Sequence, residues 1–502
     1  MPRACKVSND KLRKDKSKKK SKKENMLQPI TDSAYKLLHD GSIAFAQVES
    51  NGMKVDTAYL TQTIKETKEK IKRLQNKIKE DEVFEAWRKT YGVKTNLGSR
   101  QQLGVVLFDI LKYPNPSYTS NEEDRYSTDA DALEKVDCPF IKKYLKIEKL
   151  KKAEGTFLSG ILKDTIDEFC HPFFDLVTTE TYRSSSYKPD FQNFPMRDPE
   201  VSKLVRSAFI PRSSNRHIVE VDYGKIEVHG AYWYHKDPVM YEYICNPKKD
   251  MHRDMARQCY MLSARELKNP VDKKDEKRIY NIRYCGKNMF VFPEFYGSWY
   301  GTRAMNLWDA IDKLKLHLRD GTSLKEHLKQ QGIKRLGLCN WGEEPKPNTF
   351  ENHLKEVEND FWNVRFKVYT QWKNDWYDKY QEKGYFDTLT EFRIEGIYRK
   401  NQVINYPVQG VAFHCLLWSL IKIQRLLNKY KMKSLIVGQI HDSIVADVLD
   451  KELKNYLEIV FKVMTIDIKK HWDFILTPLE VEAEVAPAGR NWFEKEKYKL
   501  NN

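Results

Sequence analysis

An α+β chain is expected, and three features carry that expectation. Two apolar, β-branched runs read as buried strands: Val219 to Val221 ahead of Asp222, and Ile440 to Val445 around Asp442. A Lys/Glu-laced stretch, 57–90, sets Leu60, Ile64, Ile71, Leu74 and Ile78 near helical spacing. Trp362, Phe366, Tyr369, Trp372, Trp376 and Tyr380 recur every three or four residues, which predicts a helix packed on a core.

The remaining elements follow in chain order. Residues 57–90 read as a pair of charged helices, and 114–136, with Pro114, Pro116 and the acidic run Glu122 to Asp124, as a polar loop. Residues 140–180 look helical throughout, and 275–289 form a further helix. A helical run from Leu307 to Leu318 should end at the turn Asp320-Gly321-Thr322-Ser323 before another helix. No internal repeat is present.

The 502 residues are enough for three domains or one multi-lobed unit, and a formal charge of +16 points to a polyanionic partner. That charge is uneven: residues 1–24 hold 11 Lys/Arg against 3 Asp/Glu, so half of the excess sits in a tail without apolar periodicity. Residues 1–27 are therefore expected to form a basic disordered tail, a DNA tether or simply a solubilising segment. The eight cysteines show neither Cys-x-x-Cys pairs nor Cys/His ligand spacing, which predicts reduced thiols in an intracellular, cytoplasmic setting and no structural zinc. No apolar run reaches the length of a membrane span, so no membrane partner is expected.

A charged residue ending a buried strand is costly unless something compensates it, and a divalent cation is the usual compensation. Asp222 and Asp442 on neighbouring strands could hold two Mg²⁺ ions about 4 Å apart, the arrangement used for in-line phosphoryl or nucleotidyl transfer. Arg283 and Lys287 are four apart on one helix face, and Phe290, Phe292, Phe295 and Tyr296 follow. A cationic face running into an aromatic one suits a nucleoside triphosphate, its phosphates on the cations and its base on a ring.

The order of Asp222-Tyr223-x-x-x-Glu227, Arg283-x-x-x-Lys287 closing on Tyr296-Gly297, and His441-Asp442 resembles the A-family DNA polymerases. Thr181-Tyr182-Arg183-Ser184-Ser185-Ser186 with Gln192-Asn193, the segment Gly384 to Arg393, Asn405 to Gly410 and the closing Gly489-Arg490-Asn491-Trp492 extend the likeness over about residues 30–495. The resemblance implies a right-hand polymerase fold, an antiparallel palm sheet with largely helical thumb and fingers. Its divisions would be 28–180 for the thumb and the lead-in to the palm, 181–235 for the first part of the palm, 236–399 for the fingers, and 400–502 for the second part of the palm. An insertion near 305–350 would form an extra subdomain of the fingers.

The resemblance also implies roles. Asp222 and Asp442, with the Tyr223 backbone carbonyl, would hold two Mg²⁺ ions, Mn²⁺ being a substitute. A primer 3′-hydroxyl would attack the α-phosphate of a dNTP. Arg283 and Lys287 would meet the phosphates, Lys287 also protonating the leaving pyrophosphate. His441 would lie near the primer terminus or hydrogen-bond its own turn. Glu227, braced by Tyr296, would exclude a 2′-hydroxyl. Arg183, Gln192, Asn193 and Arg197 would line the primer–template duplex, with Asn405 and Gln409 on the template side. The partners would be primer–template DNA and dNTPs, the chain acting as a monomer.

Three departures matter. Tyr296 follows Lys287 by nine positions where the family uses eight, and Pro293 replaces the usual glycine; the ring over the incoming base is then Phe292 or Phe290, Phe292 preferred. The form Phe290 to Gly297 resembles a phage-type branch, which implies replication of phage DNA in an infected bacterial cell. Ser443 stands where many members carry a third carboxylate, as in single-subunit RNA polymerases, although a gate at Glu227 would defeat RNA synthesis. Too few residues precede the thumb for a nuclease domain, so the chain is expected to lack exonuclease activity and to rely on a separate proofreading exonuclease or replisome protein. A polymerase-shaped binding protein is the non-enzyme alternative.

Overall fold

The computed structural model describes residues 28–114, 127–196, 198–340 and 342–499; the basic tail (1–27) and Arg197 lie outside them. Helix α1 (Asp32–Asn51) starts where the Thr31 hydroxyl accepts from the Ala34 N–H at 3.1 Å. Helix α2 (Thr57–Lys79) is capped in the same way by Asp56, and a second helix, Glu82–Tyr91, completes the charged pair. Helix α3 (Pro139–Lys152) packs against α2, closing a core of Ile71, Ile78, Trp87, Leu107, Phe140 and Tyr144.

The run 140–180 is not all helix. After Asp164 the chain makes two short hairpins, Thr165–Ile166 with Phe169–Cys170 and Phe173–Asp175 with Ser185–Tyr187. Asp167 and Glu168 both take positive φ (50° and 65°), as a two-residue hairpin loop requires. The β-branched and aromatic content of this stretch outweighs its helical look.

The sheet that organises the molecule has five antiparallel strands. They are β1 (Arg216–Tyr223), β2 (Leu435–Ile440), β3 (Ser443–Leu449), β4 (Val481–Val485) and β5 (Glu496–Tyr498), in the order β2-β3-β1-β4-β5. Strand β1 is central and buried along its length except at Asp222. Asp222 pairs with Ser443 on one side and Glu482 on the other. A short helix, α4 (Ile226–His235), leaves the strand after Lys225 adopts φ 56°.

A second helical core gathers Met255, Ile282, Phe290, Leu307, Phe350 and Phe361. It contains α5 (Lys273–Cys285), α6 (Tyr300–Lys313) and the N-terminal half of α7 (Lys367–Lys383). The expected helix 307–318 ends at Lys313, since Lys315 turns left-handed (φ 50°) before the Ser323-capped helix Leu324–Gln330. Residues 305–350 do not form a separate core: Leu316, Leu324, Leu328 and Ile333 are buried with Ile282 and Phe290. The aromatic stripe bridges two cores, Trp362, Tyr369 and Trp372 packing on the helical one and Trp376, Tyr377 and Tyr380 on the sheet's.

Helix α8 (Lys400–Lys429) runs behind the sheet against α1, α4 and α7. By length and composition alone it could cross a membrane, against the sequence expectation, but 78% of its apolar window is buried inside the protein. Its apolarity is that of a core helix. The seven described cysteines are all free thiols.

Candidate active site

Asp222 is the exposed, next-to-last residue of β1, and Asp442 sits in the two-residue turn between β2 and β3, with His441 at φ 48°. The Tyr223 N–H donates to the Asp442 carbonyl at 3.2 Å, so the two aspartates occupy adjacent backbone positions. The Asp222 carboxyl reaches solvent, yet the protein packed around it pushes its pKa up to about 7, Asp442, Glu220 and Glu482 adding to the rise. Burial likewise pushes Asp442 up to about 6, opposed by Arg183 and reinforced by Glu227.

Two neighbouring carboxylates reluctant to ionise together fit a divalent cation, which would discharge both; hard oxygen donors of this kind suit Mg²⁺. Among the described residues no group of three or more His, Cys, Asp or Glu side chains is arranged to hold a metal, and the carboxylates that would hold one here are a pair. The Tyr223 carbonyl, next in the chain after Asp222, is available in sequence for that purpose.

Glu227 lies in the first turn of α4, where a carboxylate is favoured by the helix N-terminus. Arg183 Nη2 is bonded to its Oε1, and the Tyr296 hydroxyl donates to its Oε2 at 2.9 Å. Burial and Glu227 together push the Tyr296 phenol up to about 12. Glu227, Phe292, Tyr296, Tyr369, Asn405 and Gln409 line one cavity of about 140 Å³; Asn405 and Gln409 face it from successive turns of α8.

The nine-residue spacing from Lys287 to Tyr296 has a structural explanation. Beyond α5 the helix continues as a π-turn over Gly286–Val291, in which the Phe292 N–H bonds the Lys287 carbonyl five residues back. A π-turn takes up one extra residue without breaking the helix, so both ends keep their directions. Pro293, which has no N–H, falls just after this widened turn, at the start of the last α-helical segment, Phe292–Phe295, and produces no break. Gly286 allows the close approach of the helix Met251–Cys259, because a Cβ there would lie 2.3 Å from the His252 carbonyl oxygen. Phe290 points into the helical core and is fully buried, whereas Phe292 is 39% exposed and lines the cavity.

The remaining candidates fall into two groups. Lys287 places Nζ 5.2 Å from the Phe292 ring centroid, facing the site. Asn193 is exposed and donates to Asp190 at 2.8 Å. Arg283 and Gln192 are engaged within the protein. Arg283 Nε donates to Asp250 at 2.6 Å and its Nη2 lies 3.2 Å from His252 Nδ1; burial and that guanidinium push His252 down to about 4. Gln192, expected along a duplex, is instead turned inward: its amide donates to Ser184 Oγ (2.7 Å) and Gln439 Oε1 (2.6 Å), and Gln439 donates to the His441 carbonyl (2.6 Å). Through Gln439 it braces the hairpin that carries His441 and Asp442. Sequence reasoning missed Asp250 and His252, although Asp250 ahead of Met251, Met255 and Cys259 is an N-cap signal, and it missed Glu220, which lies inside the quoted strand motif.

Known proteins resemble this arrangement. The chain is similar to DNA polymerase I of Bacillus caldotenax (25% identical over 474 residues, covering 90% of this chain and 45% of that protein) and of Lactococcus lactis subsp. cremoris strain MG1363 (24% over 498 residues; 95% and 48%). It spans about half the length of these relatives. A solved structure described as the POL domain of Pol1 from M. smegmatis in complex with DNA primer-template and dNTP superposes with a TM-score of 0.67 at 23% identity, covering 91% of this chain and 70% of that one. The fold is thus the right-hand polymerase fold. The model of DNA polymerase family A matches residues 57–290 and 352–494, leaving the cavity-lining Phe292 and Tyr296 in the unmatched interval. Over most of its length, then, this chain belongs to DNA polymerase family A.

Proposed function

We propose that the chain is a template-directed DNA polymerase that adds dNTPs to a primer 3′-hydroxyl. The observation that carries this is the meeting of the Asp222–Asp442 pair with Glu227, which Tyr296 and Arg183 hold at the mouth of a cavity lined by Phe292 and Asn405. A pair of Mg²⁺ ions, with Mn²⁺ as substitute, would supply acidification of the 3′-hydroxyl and neutralisation of the triphosphate when held by Asp222, Asp442 and the Tyr223 carbonyl.

The chain's own groups do the rest. Lys287 binds the β- and γ-phosphates, and Arg283 joins it on leaving Asp250. The Phe292 ring stacks on the incoming base, and Tyr296 keeps the Glu227 carboxylate under C2′ of the sugar, where a 2′-hydroxyl has no room. Arg183 and Asn193 meet the duplex, whose minor-groove acceptors are common to all correct pairs; Asn405 and Gln409 meet the template side. His441 holds the hairpin beside the primer terminus.

In this reading residues 28–180 are thumb and lead-in, 181–235 and 400–499 palm, and 236–399 fingers. The proposal includes polymerisation without exonuclease activity in this chain. A mismatched, labelled primer incubated without dNTPs tests that point. The Phe290–Gly297 form supports a place in phage DNA replication, in the cytoplasm of an infected bacterium.

Primer extension on a defined template with Mg²⁺ tests the main reading, dNTPs against rNTPs, with Asp442→Ala beside it. Extension by dNTPs alone, lost in Asp442→Ala, is expected. Equal extension by rNTPs overturns the Glu227 gate and favours RNA synthesis. Duplex binding with no extension favours a binding protein.

A further inference from the structure

Two sequence features meet at one buried carboxylate. Ser443 faces Asp222 across the sheet, at the hairpin position where the family resemblance implies a third acid, and Trp492 ends the closing Gly489–Trp492 segment. Both contact Glu220. Gly489, at φ 74° and with its N–H on the Arg216 carbonyl (2.9 Å), turns the chain back so that Trp492 reaches the sheet. Glu220 lies two residues before Asp222 on β1, so the two side chains leave the same face.

Glu220 is 5% exposed, and both its oxygens are engaged. Oε1 lies 3.2 Å from Ser443 Oγ, a hydroxyl also 3.0 Å from the Ile440 carbonyl, with one proton to share. Oε2 accepts from Trp492 Nε1 (2.9 Å) and Lys495 Nζ (2.5 Å), and Arg206 Nη1 stands at 3.4 Å. Lys495 also meets Glu484 at 2.5 Å. The Trp492 indole is fully buried, stacked on Phe191 at 5.5 Å, with the Arg206 guanidinium 4.2 Å from its ring centroid.

We infer that Glu220 is a positioning residue for the nucleotidyl-transfer reaction. Through Ser443 it ties the catalytic hairpin to the C-terminal Trp492–Lys495 segment, and so fixes Asp442 relative to Asp222. The inference rests on reading Asp222 and Asp442 as the cation-holding pair, and it extends that reading. A carboxylate absent from position 443 is present one strand over, facing inward. Because three donors hold Oε2 inside the sheet and Oε1 meets the Ser443 hydroxyl, it acts on the pair through hairpin position and not as a ligand. A buried charge of this kind is retained at a cost in desolvation, which an apolar residue would avoid.

The test uses Ser443→Ala, Trp492→Phe and the double variant. Trp492→Phe keeps a ring in the core and removes only the donor. Each is measured for kcat and dNTP KM in single-nucleotide extension, and for the rise in Tm that Mg²⁺ produces without DNA. Each single variant should lower kcat about tenfold, the scale of one hydrogen bond to a charged group, with KM held and the Mg²⁺ shift reduced. The double variant should be no worse than the more severe single one, because both act through Glu220.

Unchanged kcat in Ser443→Ala overturns the inference, as does a double loss equal to the product of the singles, or a fall in Tm with kcat intact. If Trp492→Phe fails to fold, Ser443→Ala decides alone through kcat and the Mg²⁺ shift. Asp442→Ala runs alongside. Retained extension there sinks the reading of the pair itself, whereas lost extension there with normal Ser443→Ala sinks only the role of Glu220.

Discussion

Arg303 and Glu294 form an ion pair of 2.8 Å, both side chains about 1% exposed, directly behind the segment that carries Phe292 and Tyr296. The same guanidinium bonds the Ser298 carbonyl and the Glu358 carboxylate. One planar cation thus holds the end of the cavity-lining helix, the turn after it and a neighbouring helix. Replacing Arg303 by Met should cost about 1–3 kcal/mol in urea unfolding for each acceptor left without its donor, the Ser298 carbonyl and the Glu358 carboxylate. Arg303→Lys should recover only part of that, since an ammonium cannot present donors to three acceptors in one plane.

Glu294 gives this cluster a pH dependence. Burial raises its carboxyl to about 8, Glu358 adding to the rise and Arg303 opposing it. The folded protein therefore holds a proton on Glu294 that the unfolded chain releases near pH 4.5. Stability from this group is fully present below pH 4.5 and declines as pH rises toward 8. Lys373, pushed down by burial to about 7, works the other way, but only above that pH. Glu294→Gln removes the titration, so its Tm should gain on the parent protein between pH 5 and pH 7. A constant difference across that range would contradict the assignment.

The two candidate rings can be separated by experiment. Phe292 is partly exposed in the cavity, and Phe290 is buried against Phe361 at 5.7 Å. Phe292→Leu should raise dNTP KM roughly tenfold, the scale of one base–aromatic stack, with Tm nearly unchanged. Phe290→Leu should lower stability by about 1–3 kcal/mol and leave KM close to that of the parent. The opposite pattern would move the stacking role to Phe290.

Tyr296→Phe removes only the hydroxyl that donates to Glu227 at 2.9 Å. A hydrogen bond to a carboxylate contributes about 1.5–3 kcal/mol, so the preference for dNTPs over rNTPs should fall at least about tenfold as Glu227 loses its brace. Competitive incorporation of dCTP and rCTP opposite dG measures this. Unaltered discrimination would show that Arg183 alone suffices to hold the gate.

The strand that carries Asp222 and the helix pair in 57–90 were legible in the sequence through local periodicity, and the meeting of Glu227 with Tyr296 through the resemblance to the A-family polymerases. Gln192 was not. A polar side chain reads the same whether it faces DNA or bonds to Gln439, 247 residues away. Nor was the Arg303–Glu294–Glu358 cluster, whose members look like ordinary surface charges until three helices bury them. The hairpins in 165–187 were missed because Asp167 and Glu168 give no glycine to mark the turn. The insertion at 305–350 was read as separate because sequence distance hides that its leucines join the core of Phe290.

The π-turn over Gly286–Val291 changes what equivalence means along this helix. An added residue there becomes a local swelling of the ladder and not a rotation of everything downstream, so the halves that carry Lys287 and Phe292 can drift in sequence length while keeping their bearings. Counting eight residues from Lys287 lands on Phe295, whereas the hydroxyl that meets Glu227 is carried by Tyr296. A helix built this way has room to gain or shed a residue under selection without rebuilding the site it serves.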